Sequence, residues 1–274
     1  MNGLEHIQQT FAALRSQERA ALMPYFTLGY PDAETSLAVI ETIARSGADL
    51  IELGIPFSDP LADGPTIQRS TQQALAQGMT VAGCLKLTGD LRRCGVRQPL
   101  MFMGYLNPLL SYGLARFVTD AAEAGADGLI VPDLPPEDAG ELEGACQAHS
   151  LALVYLLAPN STPERIDLVT SRSTGFIYLI SVTGVTGARD HLPPDLADFI
   201  RRVRLVTDKP LAVGFGISTP QQAAQVAELA DGIIVGSALI NAVSDSQKPV
   251  EAVSPYMKQL AAAIVRFSLQ GRKW

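Results

Sequence analysis

Three carboxylates stand close together in the stretch IELGIPFSDPLADGP, residues 51–65: Glu52, Asp59 and Asp63. Side chains in a strand alternate faces, so Glu52 points away from Ile51 and Leu53. An acid in such apolar surroundings has a raised pKa and can both give and take a proton near neutral pH. From the pattern alone Glu52 is either an acid–base group or the buried half of a structural ion pair. The strand then breaks into a loop of proline and glycine that holds the other two acids. Asp63 is a second candidate acid beside Glu52, whereas Asp59 reads as a turn cap or a contact to a partner.

A second group of residues suits an anion. SVTGVTGARD (181–190), AVGFGIST (212–219) and IIVGSALI (233–240) each follow an apolar run near the end of the chain. Glycines there let backbone amides approach a phosphate, and Ser237 adds a hydroxyl at the start of a helix. Gly214 and Gly216 alone are weak evidence, because no third glycine completes a dinucleotide fingerprint. What is missing narrows the chemistry further. None of Lys86, Lys209, Lys248, Lys258 and Lys273 follows a predicted strand, so a Schiff-base nucleophile has no obvious source. His6, His149 and His191 are scattered, which argues against a metal site, and no GxSxG elbow or catalytic-cysteine signature is present. Carboxylates, Tyr178, Asn107 and backbone amides remain, and these suit acid–base catalysis.

Eight apolar runs position these groups: LMPYFTLGYP, DLIELGIP, PLMFMGYLN, DGLIVPDL, LALVYLLAP, GFIYLISVT, PLAVGFG and DGIIVGSAL. Several are continuous rather than alternating, as in parallel strands covered on both faces. Helical spacing fills the segments between them, including 33–46, 113–124, 137–149 and 219–230. GAD recurs at 47–49 and 125–127 and reads as one helix-to-strand turn used twice, with glycine ending the helix. Strands alternating with helices predict an α/β fold, a (β/α)8 TIM barrel of one domain over 1–274, with an extra N-terminal helix. The spacing doubles after strand 2, where an enlarged loop holds two helix-like pieces at 66–77 and 80–94. Since loops after barrel strands build the active site, that enlargement reads as functional.

Composition bounds the partners. A formal charge of −7 argues against nucleic acid or an anionic membrane surface, and no apolar run is long enough to span a bilayer. The N-terminus lacks the pattern of a signal peptide. Cys84, Cys94 and Cys146 show no CxxC spacing and fit a reducing, cytoplasmic setting.

PYFTLGYPD, IELGIPFSDPLADGPTIQ, MGYLNP, VPDLPPED, YLISVTGVTGARD, GFGIS and IIVGSALI together resemble the tryptophan synthase alpha subunit family over essentially the whole chain. The resemblance implies a lyase that cleaves indole-3-glycerol phosphate to indole and glyceraldehyde 3-phosphate in tryptophan biosynthesis, a retro-aldol step without metal or cofactor. It implies a beta subunit that carries pyridoxal phosphate, in an alpha2beta2 complex. Position by position it makes Glu52 the acid–base group and Asp63 the partner of the indole nitrogen, with Tyr178 in support. It lines the substrate pocket with Tyr25, Met103, Ile130, Thr186, Phe215 and Ile234, although Tyr25 stands where family members carry phenylalanine. Gly187, Gly216, Gly236 and Ser237 would hold the phosphate. Asp59, Asn107, Pro108 and Asp133 would meet the beta subunit, Pro108 otherwise opening an ordinary helix at its first position. The loops after strands 2 and 6 are expected to close, bringing Asp63 and Thr186 together. Competing readings are a stand-alone lyase, another phosphate-binding barrel such as a sugar-phosphate isomerase, and a regulatory partner without activity.

Overall fold

The computed structural model of the chain describes residues 1–180, 193–214 and 216–265. Its strands are β1 (Ala21–Thr27), β2 (Ile51–Gly54), β3 (Leu100–Met103), β4 (Gly128–Ile130), β5 (Ala152–Val154), β6 (Leu156–Leu157), β7 (Ile177–Ile180), β8 (Leu211–Gly214) and β9 (Gly232–Val235). They pair in the order β5-β4-β3-β2-β1-β9-β8-β7-β6, and every pairing between them is parallel. The first and last of that order are halves of a single run, so the sheet closes on itself as the predicted (β/α)8 barrel. The fifth predicted strand is split at Tyr155 for a local reason. The Tyr155 amide donates to the Ser173 hydroxyl at 3.1 Å instead of a neighbouring strand, and its phenol reaches outward to Glu143 at 2.7 Å. Pairing therefore passes from β4 on one side to β7 on the other.

The helices are α1 (Gly3–Ser16), α2 (Ala33–Arg45), α3 (Pro65–Ala76), α4 (Val81–Arg93), α5 (Leu106–Tyr112), α6 (Leu114–Ala124), α7 (Gly140–Ala148), α8 (Pro163–Arg172), α9 (Leu196–Arg204), α10 (Pro220–Ala227), α11 (Ser237–Ser244) and α12 (Pro249–Ala263). The predicted stretches fall on α2, α6, α7 and α10, and the insertion after β2 forms α3 and α4. A capping box between Asn2 and Glu5 starts α1. This helix covers the N-terminal end of the barrel, burying Ile7 completely and setting Phe11 against Phe176 at 5.8 Å. The GAD turns work as read: Gly47 and Gly125 take φ of 103° and 90°, which a side chain would strain.

The aspartates of those turns perform a further task. Asp49 accepts the amide of Leu22 at 2.8 Å while its own amide donates to the Leu22 carbonyl at 2.9 Å. Asp127 and Leu100 repeat this exchange, and so do Asp231 and Leu211. An arginine seals each carboxylate: Arg19 on Asp49, Arg92 on Asp127 and Arg204 on Asp231. Three neighbouring strand pairs are thus clamped at the N-terminal end, opposite the loops that build a barrel's active site. Breaking a buried pair strands the remaining charge. Asp127→Ala is therefore expected to lower unfolding free energy by about 3 kcal/mol, read from urea denaturation, with no change in the geometry at the other end.

Candidate active site

Parallel register sorts the barrel interior into layers. Glu52 lies beside Tyr25 on β1 and Met101 on β3, and Met101 beside Gly128 on β4. Two residues on, toward the C-terminal ends, Gly54 lies beside Thr27 and Met103, and Met103 beside Ile130. The predicted pocket residues Met103 and Ile130 therefore form the layer directly above Glu52. Ile234 shares the interior face through its pairing with Met23. Lower in the interior, Gly128 and Gly232 make room for the Met101 and Met23 side chains that pack over them.

Glu52 is fully buried, and neither carboxylate oxygen has a hydrogen-bond partner among the described residues. The ion-pair reading of this residue thus has no partner to support it. Burial pushes its carboxyl up to about 8, so it is a neutral acid at physiological pH. Asp63 is half-buried just ahead of α3, with its carbonyl held by Gln68 at 2.8 Å. Burial raises it to about 6, and a hydrogen bond from Tyr105 pulls the other way. At neutral pH the two acids therefore differ in charge, Glu52 protonated and Asp63 ionised. Two such carboxyls with separated pKa values divide the acid and anion roles of one reaction between them.

Two buried phenols complete the constellation. The Tyr25 ring lies across Gly54, where a Cβ would come within 2.7 Å of its Cε2 atom, and the Tyr178 ring lies across Gly214 in the same way. Glycine at these strand ends is what admits the two rings. Burial raises both phenols well above the usual range, and the nearby charges of Glu52 and Asp63 raise them further. The four groups therefore share one poorly hydrated volume. Tyr105 joins them from the loop after β3, accepting the Ala62 amide at 3.0 Å and donating to Asp63. Sequence reasoning quoted MGYLNP without singling out Tyr105. The signal was its position directly after a strand end.

The anion-binding candidates are partly visible. Gly216 follows β8 with φ of 86°, and Gly236 precedes α11, whose first residue is Ser237. No side chain caps that helix, so its first amides are directed past the end of β9. Thr186, Gly187 and Phe215 lie outside the described residues, as does most of the loop after β7.

The predicted partner residues separate into distinct roles. Asp133 caps α5, accepting the Leu106 amide at 2.9 and 3.2 Å. Asn107 is exposed on that helix. Pro108 takes its third position rather than its first, because the helix already starts at Leu106; the first turn still needs no amide there. Asp59 is exposed and receives the Ser58 hydroxyl.

With this geometry in place, comparison with known proteins is informative. The tryptophan synthase alpha chain family matches residues 11–265. The tryptophan synthase alpha chain of Chloroflexus aggregans is 51% identical over 266 residues, covering 96% of this chain and 99% of its own. That of Acidiphilium cryptum is 49% identical over 269 residues, covering 95% and 98%. Among solved structures, Mycobacterium tuberculosis tryptophan synthase superposes with a TM-score of 0.89 at 40% identity, covering 95% of this chain and 98% of that one. The Legionella pneumophila tryptophan synthase subunit alpha gives 0.89 at 38% identity, covering 96% and 98%.

The raised pKa of Glu52 carries a stability signature. Its native value lies above its unfolded one, so its contribution is fully present below the unfolded pKa and is lost as pH rises to about 8. Glu52→Gln cannot ionise and is expected to be more stable than wild type above neutral pH. The gap should widen from about pH 5 to 8, measured by urea unfolding at each pH, and should vanish in acid.

Proposed function

We propose, from the premise that the chain belongs to the tryptophan synthase alpha chain family, that Glu52 and Asp63 together carry its reaction. The chain is a carbon–carbon lyase of tryptophan biosynthesis that cleaves indole-3-glycerol phosphate to indole and glyceraldehyde 3-phosphate. The supporting observation is a fully buried Glu52 carboxyl, unpaired among the described residues, that is still protonated at neutral pH. Protonated Glu52 gives its proton to the ring carbon that bears the side chain. The ring becomes cationic, and ionised Asp63 stabilises the charge at the ring nitrogen. Glu52, now a carboxylate, takes the proton of the side-chain hydroxyl as the carbon–carbon bond breaks. Its electrons return to the ring, indole leaves, the hydroxyl carbon becomes the aldehyde, and Glu52 is again an acid. Tyr178 sits in the field of both acids and supports them.

Substrate fits the layers above Glu52. Tyr25, Met103, Ile130 and Ile234 line the apolar part, with Thr186 and Phe215 assigned by sequence alone. The phosphate is assigned to Gly187, Gly216, Gly236 and Ser237, at the start of α11. We read residues 1–274 as one barrel domain and place the protein in the cytoplasm, in line with the free thiols of Cys84, Cys94 and Cys146.

The family implies a beta-subunit partner, and we assign the contact to the mouth of the barrel in an alpha2beta2 complex. Leu61, 88% exposed in the loop after β2, and the exposed Leu110 on α5 add apolar anchors beside Asp59, Asn107, Pro108 and Asp133. Both loops also border the acids, since Asp63 follows Leu61 and Tyr105 precedes α5. Seating a partner there bears directly on Asp63.

Activity should follow the two acids. Asp63 must be ionised and Glu52 protonated, so kcat/KM is expected to fall below about pH 6 and above about pH 8. Glu52→Gln is expected to remove at least about a hundredfold of indole release, and Asp63→Asn a similar factor. Retained turnover in Glu52→Gln would contradict the assignment. Adding a beta subunit should raise turnover, and Leu61→Asp should weaken that rise while leaving the basal rate of the free chain unchanged.

A further inference from the structure

Tyr25 carries a hydroxyl that the pocket's apolar lining does not require, and its surroundings give that hydroxyl a direction. The Ser70 hydroxyl donates to the Ile67 carbonyl at 2.8 Å. The Thr27 and Ser70 oxygens are 2.7 Å apart, and those of Tyr25 and Thr27 are 3.4 Å apart. Each hydroxyl has a single hydrogen to give. Ser70 spends its hydrogen on Ile67, so Thr27 must donate to Ser70, and Tyr25 must donate to Thr27. The relay therefore runs one way: Tyr25 to Thr27 to Ser70 to the backbone of α3.

Its far end matters because α3 begins two residues after Asp63. Gln68, on the same helix, donates to the Asp63 carbonyl. Thr27 and Ser70 are both fully buried, so water does not compete for these bonds. At the near end, the phenol lies over Gly54, one layer above Glu52. After burial, the Asp63 charge is the largest influence on this phenol. Tyr25 thus faces the Asp63 side chain through space and holds its backbone through α3.

We propose that Tyr25 is a positioning residue: its donated hydroxyl, relayed through Thr27 and Ser70, fixes α3 and so holds Asp63 at the height where the substrate ring must meet it. The inference rests on the proposed assignment of Asp63 to the reaction. Tyr105, Tyr25 and Tyr178 are the titratable groups that feel the Asp63 charge, from the loop after β3, from β1 and from β7, and Glu52 lies in the same volume from β2. Tyr25→Phe keeps the ring and deletes only the relay's first hydrogen. Without it Asp63 is held less deeply, regains water, and titrates closer to an ordinary aspartate.

Indole release from indole-3-glycerol phosphate by the full chain, measured across pH, tests the proposal. Tyr25→Phe is expected to lower kcat/KM by about tenfold and to move the acid limb downward from about 6. Thr27→Val, which breaks the relay at its second member, should reproduce both effects. Thr27→Ser, which keeps the hydroxyl, should retain most of kcat/KM and the original limb. Tyr25→Phe within twofold of wild type overturns the proposal. So does an acid limb that stays in place while activity falls, or a Thr27→Val that behaves like Thr27→Ser. A wild-type chain that releases no indole would instead contradict the assigned reaction, which keeps the two failures apart.

Discussion

Glu52 lies in the barrel interior with no hydrogen-bond partner for either oxygen among the described residues, and an ionised carboxylate there would lose its hydration for nothing in return. The group responds by keeping its proton into the neutral range. Its surroundings serve the same end. Among the described residues its register neighbours are Tyr25 and Met101 rather than cations, and the Tyr178 phenol lies within its field. A lysine or arginine within reach would hold the acid ionised and remove the proton the reaction needs. Asp63 feels the same burial less strongly: it rises only to about 6, with the Tyr105 hydroxyl pulling it down, and so is ionised at neutral pH.

The other end of the barrel is built differently. Each Asp clamp joins two strands through a reciprocal backbone exchange and ties an arginine to the same carboxylate. His6 adds α1 to the Asp127 clamp at 2.8 Å. These clamps stand at the end of the barrel opposite Glu52 and Asp63. The same separation lets the loops after β2 and β3 carry exposed leucines for a partner without weakening the strands beneath them.

Most of the architecture was legible from the sequence because its signals are local. Apolar runs marked the strands, glycine closed the GAD turns, and the doubled spacing after β2 gave α3 and α4. Glu52 stood out because a carboxylate in an apolar strand conflicts with its neighbours, and such conflicts cluster at functional sites. The split at Tyr155 was not legible, since it depends on Ser173 and Glu143 from distant parts of the chain. None of the three Asp clamps was legible: GAD was read only as a glycine-ended turn, and Asp231 lacks even that glycine, although its partner and register match the other two. Tyr105 and the Thr27–Ser70 relay depend on how the insertion folds back over β1, and that packing has no periodic trace in the sequence.

Infrared difference spectra of wild type minus Glu52→Gln, recorded in heavy water from acid to alkaline pH, would report the Glu52 proton directly. A carboxylic-acid carbonyl band, absent from the variant, is expected to persist through neutral pH and disappear at about 8. Loss of that band by about pH 5, where an ordinary glutamate has already ionised, would contradict the account.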